Sequence, residues 1–95
     1  MSLEFEWDPR KAAVNHRKHG VTFQEGATVF GDQLAVIFTD EFHSVGERRE
    51  LIIGHSNLKH LLLVSFAERS GKIRIISARR ATKRERRDYE ENPIL

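Results

Sequence analysis

The sequence predicts an α+β fold, an antiparallel β-sheet with helices packed on it, in the order β-α-α-β-β-β-β-α. Three observations carry that expectation. Apolar, β-branched runs at residues 34–38, 49–54, 61–67 and 73–78 read as strands. The links Ser56-Asn57-Leu58-Lys59 and Arg69-Ser70-Gly71-Lys72 are short enough for hairpins, hence antiparallel pairing. Helix-start signals stand outside those runs, at Asp8-Pro9, at Thr22 with Glu25, and at Thr82 with Glu85.

Taken in order, Glu4-Phe5-Glu6-Trp7 alternates polar and apolar residues, the mark of a short half-buried strand. Asp8 suits an N-cap and Pro9 the first helical position, where its missing N–H had no partner to lose. That helix runs to about His19 and stops at Gly20. Ala12, Asn15, His16 and His19 share one face, small and polar, so it adds little core. The Thr22–Glu25 capping box opens a short helix to about Phe30, with Phe23, Ala27 and Phe30 as its apolar stripe. Gly31-Asp32 ends it. Residues 34–38 read as a buried strand and residues 40–48 as an exposed, acidic loop. The strand at 73–78 is apolar except for Arg74, which suits a central place in the sheet. The last helix spans residues 82–92, with Ala81, Glu85 and Tyr89 on one face and Lys83, Arg86 and Arg87 on the other. Glu85 then faces the body of the protein and needs a partner, with Arg69, Arg74 and Arg79 as candidates. Held more by ion pairs than by apolar contact, this helix is expected to be the most mobile element.

Ninety-five residues suffice for a single domain, 1–95, with one core. Apolar content of 39% and charge of 32% fit a globular, cytoplasmic protein rather than a disordered one. There is no cysteine, which fits a reducing cytosol and removes disulfides, thiolate metal sites and cysteine nucleophiles. No apolar run reaches the length of a membrane span, and the N-terminus lacks a secretory pattern. Met1-Ser2-Leu3 reads as a cloning remnant outside the fold argument. No internal repeat or low-complexity linker is present.

The net charge of +2 conceals a concentration. Residues 69–87 hold nine Lys or Arg and one acid, a local +8, against −3 for residues 1–68. Such a patch is the footprint of a phosphate-rich partner, more than solubility requires. Arg49, Arg69, Arg74 and Arg79 stand within or beside the last three strands, and a guanidinium fork matches phosphate oxygens. The plainer reading is that each arginine pairs with an acid such as Glu68 or Glu85 and holds the sheet together. Lys18-His19-Gly20 ends the first helix, where the helix dipole favours a cation. A protonated His19 can donate a proton to a leaving 5′ oxygen or bind phosphate; capping the helix is its simpler role. His16 and His19 have metal-ligand spacing but no third ligand nearby, so no metal is expected. Tyr89 can act near a sugar or stack on a base, although docking its helix is the favoured role. No Walker, nucleophile-elbow, dinucleotide or zinc motif occurs, and no cofactor is expected.

Trp7-Asp8-Pro9 with Lys11, Asn15 and Lys18-His19-Gly20-Val21, followed by Phe23, Ala27 and Phe30, resembles the N-terminal signature of the BrnT-type toxins. So do Arg49 with Gly54, then Arg69, then Ile75-Ile76-Ser77-Ala78-Arg79 with Ala81, Glu85 and Tyr89. The resemblance runs from Phe5 to Tyr89. It implies a RelE-like fold and the toxin half of a bacterial type II toxin–antitoxin pair, whose members cut RNA and stop translation. It also implies a ribbon-helix-helix antitoxin encoded nearby, which covers the toxin and alone contacts operator DNA. Gly26 departs from the pattern: an acid or alanine is more usual there, and glycine inside a helix costs about 1 kcal/mol.

RNA cleavage without a metal needs a base for the 2′-hydroxyl, an acid for the 5′ oxygen, and cations for the phosphorane. The expectation is that Arg49, Arg69 and Arg79 hold the scissile phosphate while His19 or Tyr89 moves protons. Lys18, Arg74, Arg80, Lys83 and Arg87 then follow the RNA backbone, with messenger RNA on the ribosome as one target. The alternative is a non-catalytic module that uses the same cations to bind nucleic acid or a protein partner.

Overall fold

The computed structural model describes residues 2–91. Its elements are β1 (Phe5–Glu6), α1 (Pro9–His19), α2 (Phe23–Thr28), a 3₁₀ turn at Val29–Gly31, β2 (Val36–Thr39), and a second 3₁₀ turn at Glu41–His43. They continue with β3 (Glu50–His55), β4 (Leu61–Arg69), β5 (Lys72–Arg80) and α3 (Lys83–Glu91). The expected order holds; the expected end of the last helix at Asn92 lies outside the described residues.

The strands form one five-stranded sheet in the order β1-β5-β4-β3-β2. Strands β2 to β5 make an antiparallel meander, with short turns joining β3 to β4 and β4 to β5 and the longer loop at 40–49 joining β2 to β3. At the β4–β5 turn, Ser70 (φ 51°) and Gly71 (φ 78°) both take the left-handed conformation that a two-residue hairpin of matching twist requires. The first strand joins differently. β1 lies parallel to β5, with Phe5 opposite Ile73 and Glu6 opposite Arg74.

One sheet face carries α1 and α2. Val21, Phe23 and Val29 pack there against Ile52, Leu62, Val64, Phe66, Ile75 and Ala78, with Trp7, Ala27 and Phe30 at the margin. The Phe30 ring stands edge-on to Phe5 and Phe66, at centroid distances of 5.2 and 5.0 Å. The Phe23, Ala27, Phe30 stripe therefore faces inward as its spacing predicts, although the α-helix tightens to 3₁₀ after Thr28. Gly26 has a reason to be glycine: a Cβ there would sit 3.2 Å from the Ala78 Cβ, so its absence lets α2 lie close on the sheet.

Helix α1 contributes polar anchoring, as its small face predicts. The buried Asn15 amide donates to the carbonyls of Val21 (2.9 Å) and Ala78 (2.7 Å), and its oxygen accepts from the Ala78 N–H (3.1 Å). Since β1 pairs only as far as Arg74, this side chain satisfies the part of the β5 edge that no strand covers. The Thr22 capping box forms only by half. Thr22 Oγ1 accepts from the Glu25 N–H (3.0 Å), but the Glu25 carboxylate turns to Ser56 Oγ (2.6 Å) and His60 Nδ1 (2.9 Å).

The segment at residues 34–38 is not a buried strand. β2 is the outermost strand, begins at Val36, and leaves Leu34 68% and Ile37 51% exposed. An unbroken apolar run signals burial only where other layers cover both faces of the strand.

Candidate active site

The second sheet face is covered at one end only. There α3 docks through Ala81 and Tyr89 on Ile53, Leu61 and Leu63. Its start is fixed by a complete capping box: Thr82 Oγ1 accepts from the Glu85 N–H (3.1 Å) and Glu85 Oε1 from the Thr82 N–H (2.9 Å). Glu85 also grips Arg79 through two bonds of 2.8 Å, the inward pairing that its helical position predicts. The Arg79 guanidinium holds the Glu85 carboxyl at about 2, aided by Thr82 and against the opposing effect of burial.

Beside this pair lies an open depression of about 300 Å³, floored by Leu51 and Leu63 and walled by Asp40, His43, Arg49, Ser65, Ser77 and Arg79. The loop at 40–49 supplies three of these groups. The Asp40 N–H donates to the Arg49 carbonyl (2.9 Å) and the Arg49 N–H to Ser44 Oγ (3.0 Å), which folds the loop back over the sheet. His43 thereby rests with Nδ1 at 2.9 and 3.2 Å from the two Asp40 oxygens. Arg49 has no carboxylate within ion-pair distance among the described residues. On β5, Ile76 is the extra residue of a bulge opposite the Ser65–Phe66 step, and it presents Ser77 to this depression.

Further along the face, Arg69 forks onto Glu47, with Nη2 at 2.9 Å from Oε1, and Arg74 reaches Glu6 at 3.2 Å. The hydrogen bond from Arg69 draws the Glu47 carboxyl below its usual range, and the charges of Arg69, Arg49 and Arg74 add to this. Arg49 and Arg79 thus share the depression, while Arg69 and Arg74 continue a cationic track outside it.

The remaining expected residues are scattered. His19, half-buried, and Lys18 line a separate depression beside α1, which meets the first one only at Ile76 and Ser77. Tyr89 donates its hydroxyl to the Leu34 carbonyl (3.3 Å) and sets its ring edge-on to His55 at 5.8 Å, which are docking contacts. Burial, and then the charge of Asp32, raise its phenol above the ordinary value, so it keeps its proton. Arg80 points to the opposite sheet face, where its guanidinium reaches His60 Nε2 (3.1 Å). Lys83 and Arg87 are exposed on α3. Among the described residues, no three His, Asp or Glu side chains gather as a metal site, and no helix is long and apolar enough to cross a membrane.

Sequence reasoning missed Asp40, His43, Ser65 and Ser77. The only advance signal for the first two was the Asp-x-x-His spacing inside a loop otherwise rich in acids.

Residues 7–85 match the family described as the ribonuclease toxin, BrnT, of type II toxin–antitoxin systems. The chain belongs to the BrnT ribonuclease toxin family. As a type II toxin-family member it implies an antitoxin partner. It is also similar to the crystal structure of the Brucella abortus ribonuclease toxin, BrnT, determined at 1.1 Å resolution. That likeness has a TM-score of 0.66 and 24% identity over 86% of this chain and 100% of the Brucella one, and it speaks for the fold alone. No curated protein sequence matches the chain. The BrnT-family match takes in the whole depression, from Asp40 and His43 to Arg79, together with Glu85 beside it.

Proposed function

We propose that this chain is a toxin endoribonuclease that cuts RNA without a metal ion and thereby arrests translation. The observation that carries the reading is the pairing of Arg49 with Arg79 in one depression, on a sheet face that α3 leaves open. Two guanidinium groups supply the positive charge that a phosphorane needs, the task a metal ion performs elsewhere. A substrate phosphate would take the place of Glu85 on Arg79, since both are two-oxygen anions matched to the same fork. Arg69 and Arg74 lie along the track for neighbouring phosphates, with Lys83 and Arg87 on α3 beyond. The substrate class is RNA, ribosome-associated messenger included. The partner is a ribbon-helix-helix antitoxin that alone touches operator DNA, and the setting is the bacterial cytoplasm.

A second reading is a binding module without catalysis, in which a bound anion replaces the carboxylates that now hold Arg69, Arg74 and Arg79 and no proton is transferred. Addition of the purified protein to a translating bacterial extract, with free RNA in EDTA alongside, separates the two. New RNA ends bearing 2′,3′-cyclic phosphate, lost in Arg79→Ala, are expected; intact RNA retained in a salt-sensitive manner would establish the binding module.

A further inference from the structure

We propose that His43, oriented by Asp40, is the general base of the cleavage reaction; the inference rests on the ribonuclease reading above. Three features of the loop at 40–49 lead to it. The Asp40 carboxylate faces His43 Nδ1 with both oxygens within hydrogen-bond reach, so the proton of a neutral imidazole resides on Nδ1. The other ring nitrogen, Nε2, is then left with its lone pair free to accept a proton. The ring is also open to substrate, its side chain being 67% exposed while the Asp40 carboxylate behind it is only 12% exposed. Finally, the dyad shares its depression with Arg49 and Arg79. No other imidazole borders that depression: His19 lines its neighbour, and His60 lies on the far sheet face.

A surface Asp–His pair can also be no more than a loop clasp. Two details argue for more here. The loop is already closed by the Asp40 N–H to Arg49 carbonyl bond and by Ser44, so the imidazole is not needed to shape it. And a carboxylate holds one ring nitrogen of an imidazole that lines the same depression as two guanidiniums, a grouping suited to in-line transesterification.

The step balances with water as the only further reactant. The ribose 2′-O–H bond breaks and its proton passes to His43 Nε2, while the 2′ oxygen forms a bond to phosphorus. The P–O5′ bond then breaks with its electron pair going to O5′, which takes a proton from water. A 2′,3′-cyclic phosphate and a 5′-hydroxyl result. The proton taken up by His43 then passes to solvent.

The test uses full-length protein and the RNA cut in the extract. His43→Ala is expected to lower the cleavage rate about 10²–10⁴-fold while leaving the circular dichroism spectrum and RNA retention intact. Free imidazole in the buffer should restore part of the activity, because the vacated place opens to solvent, and should do nothing for Arg79→Ala. Asp40→Asn, which removes the charge but keeps the shape, should lower the rate by a smaller factor. Equal cleavage by wild type and His43→Ala would overturn the inference and leave the ribonuclease reading standing. A loss that imidazole does not relieve in the folded variant would also overturn it, assigning His43 to positioning. A wild type that cuts nothing would remove the ribonuclease reading itself.

Discussion

Glu85 accepts from a backbone N–H and from both arms of Arg79 with one carboxylate, so its ionisation is tied to folding. In the folded chain it sits at about 2, against an ordinary value of 4.5. A depressed carboxyl contributes stability that is fully present above 4.5 and is lost as pH falls from there toward 2. The pair is partly solvated, so the contribution is of the order of 1 kcal/mol. Glu85→Gln keeps a cap acceptor and removes the charge; urea unfolding should show it less stable than wild type at pH 6 and nearly equal at pH 2. This residue was legible in advance, since Thr82 fixes the helix start and the start fixes which way Glu85 points. His43 was not, because a loop has no period and its course depends on hydrogen bonds between Asp40, Ser44 and Arg49.

The third strand shows why an element can be right in kind and still incompletely read. Gly54 lies opposite Leu62 in the middle of the sheet, where a glycine weakens a strand. Its reason is an approach by another element: a Cβ would meet Ala35 Cβ at 2.7 Å, Asp32 Oδ2 at 3.0 Å and Val29 Cγ1 at 3.1 Å. Asp32 is fixed there. Burial raises its carboxyl, but the His55 and Leu34 N–H bonds, at 2.7 and 3.0 Å, outweigh that and bring it below its usual range. Gly54→Ala should therefore cost about 1–3 kcal/mol in urea unfolding, whereas Gly31→Ala, with open space at its Cβ, should stay within about 0.5 kcal/mol. The strands were legible from composition and the hairpins from link length. The exposed position of β2 was not, because strand order belongs to the sheet and no residue within 34–38 encodes it.

For the molecule as a whole, the cationic stretch that dominates the sequence is divided by the sheet. Alternation along β5 sends Arg79 to the open face and Arg80 to the helix-covered one, since they pair across with Leu63 and Leu62 respectively. A charge count over a window has no knowledge of that period of two, which is why Arg80 read as one of the RNA contacts. Binding of a 2′-O-methylated, uncleavable RNA should weaken with salt at a logarithmic slope of about −0.7 per phosphate contact. Arg79→Ala should reduce that slope by one contact, and Arg80→Ala should leave it unchanged. The same strand also sets a clock. Asn15 finds its partner at Ala78, 63 residues later, so at about 5–20 residues per second a ribosome needs roughly 3 to 13 s to deliver it. During that interval the newborn chain holds its first helix unmoored and its aromatic residues uncovered, open to chaperones. Arg79 of β5 is the last residue lining the depression to be synthesised, and the cell that makes this protein meets its chemistry only after that delay.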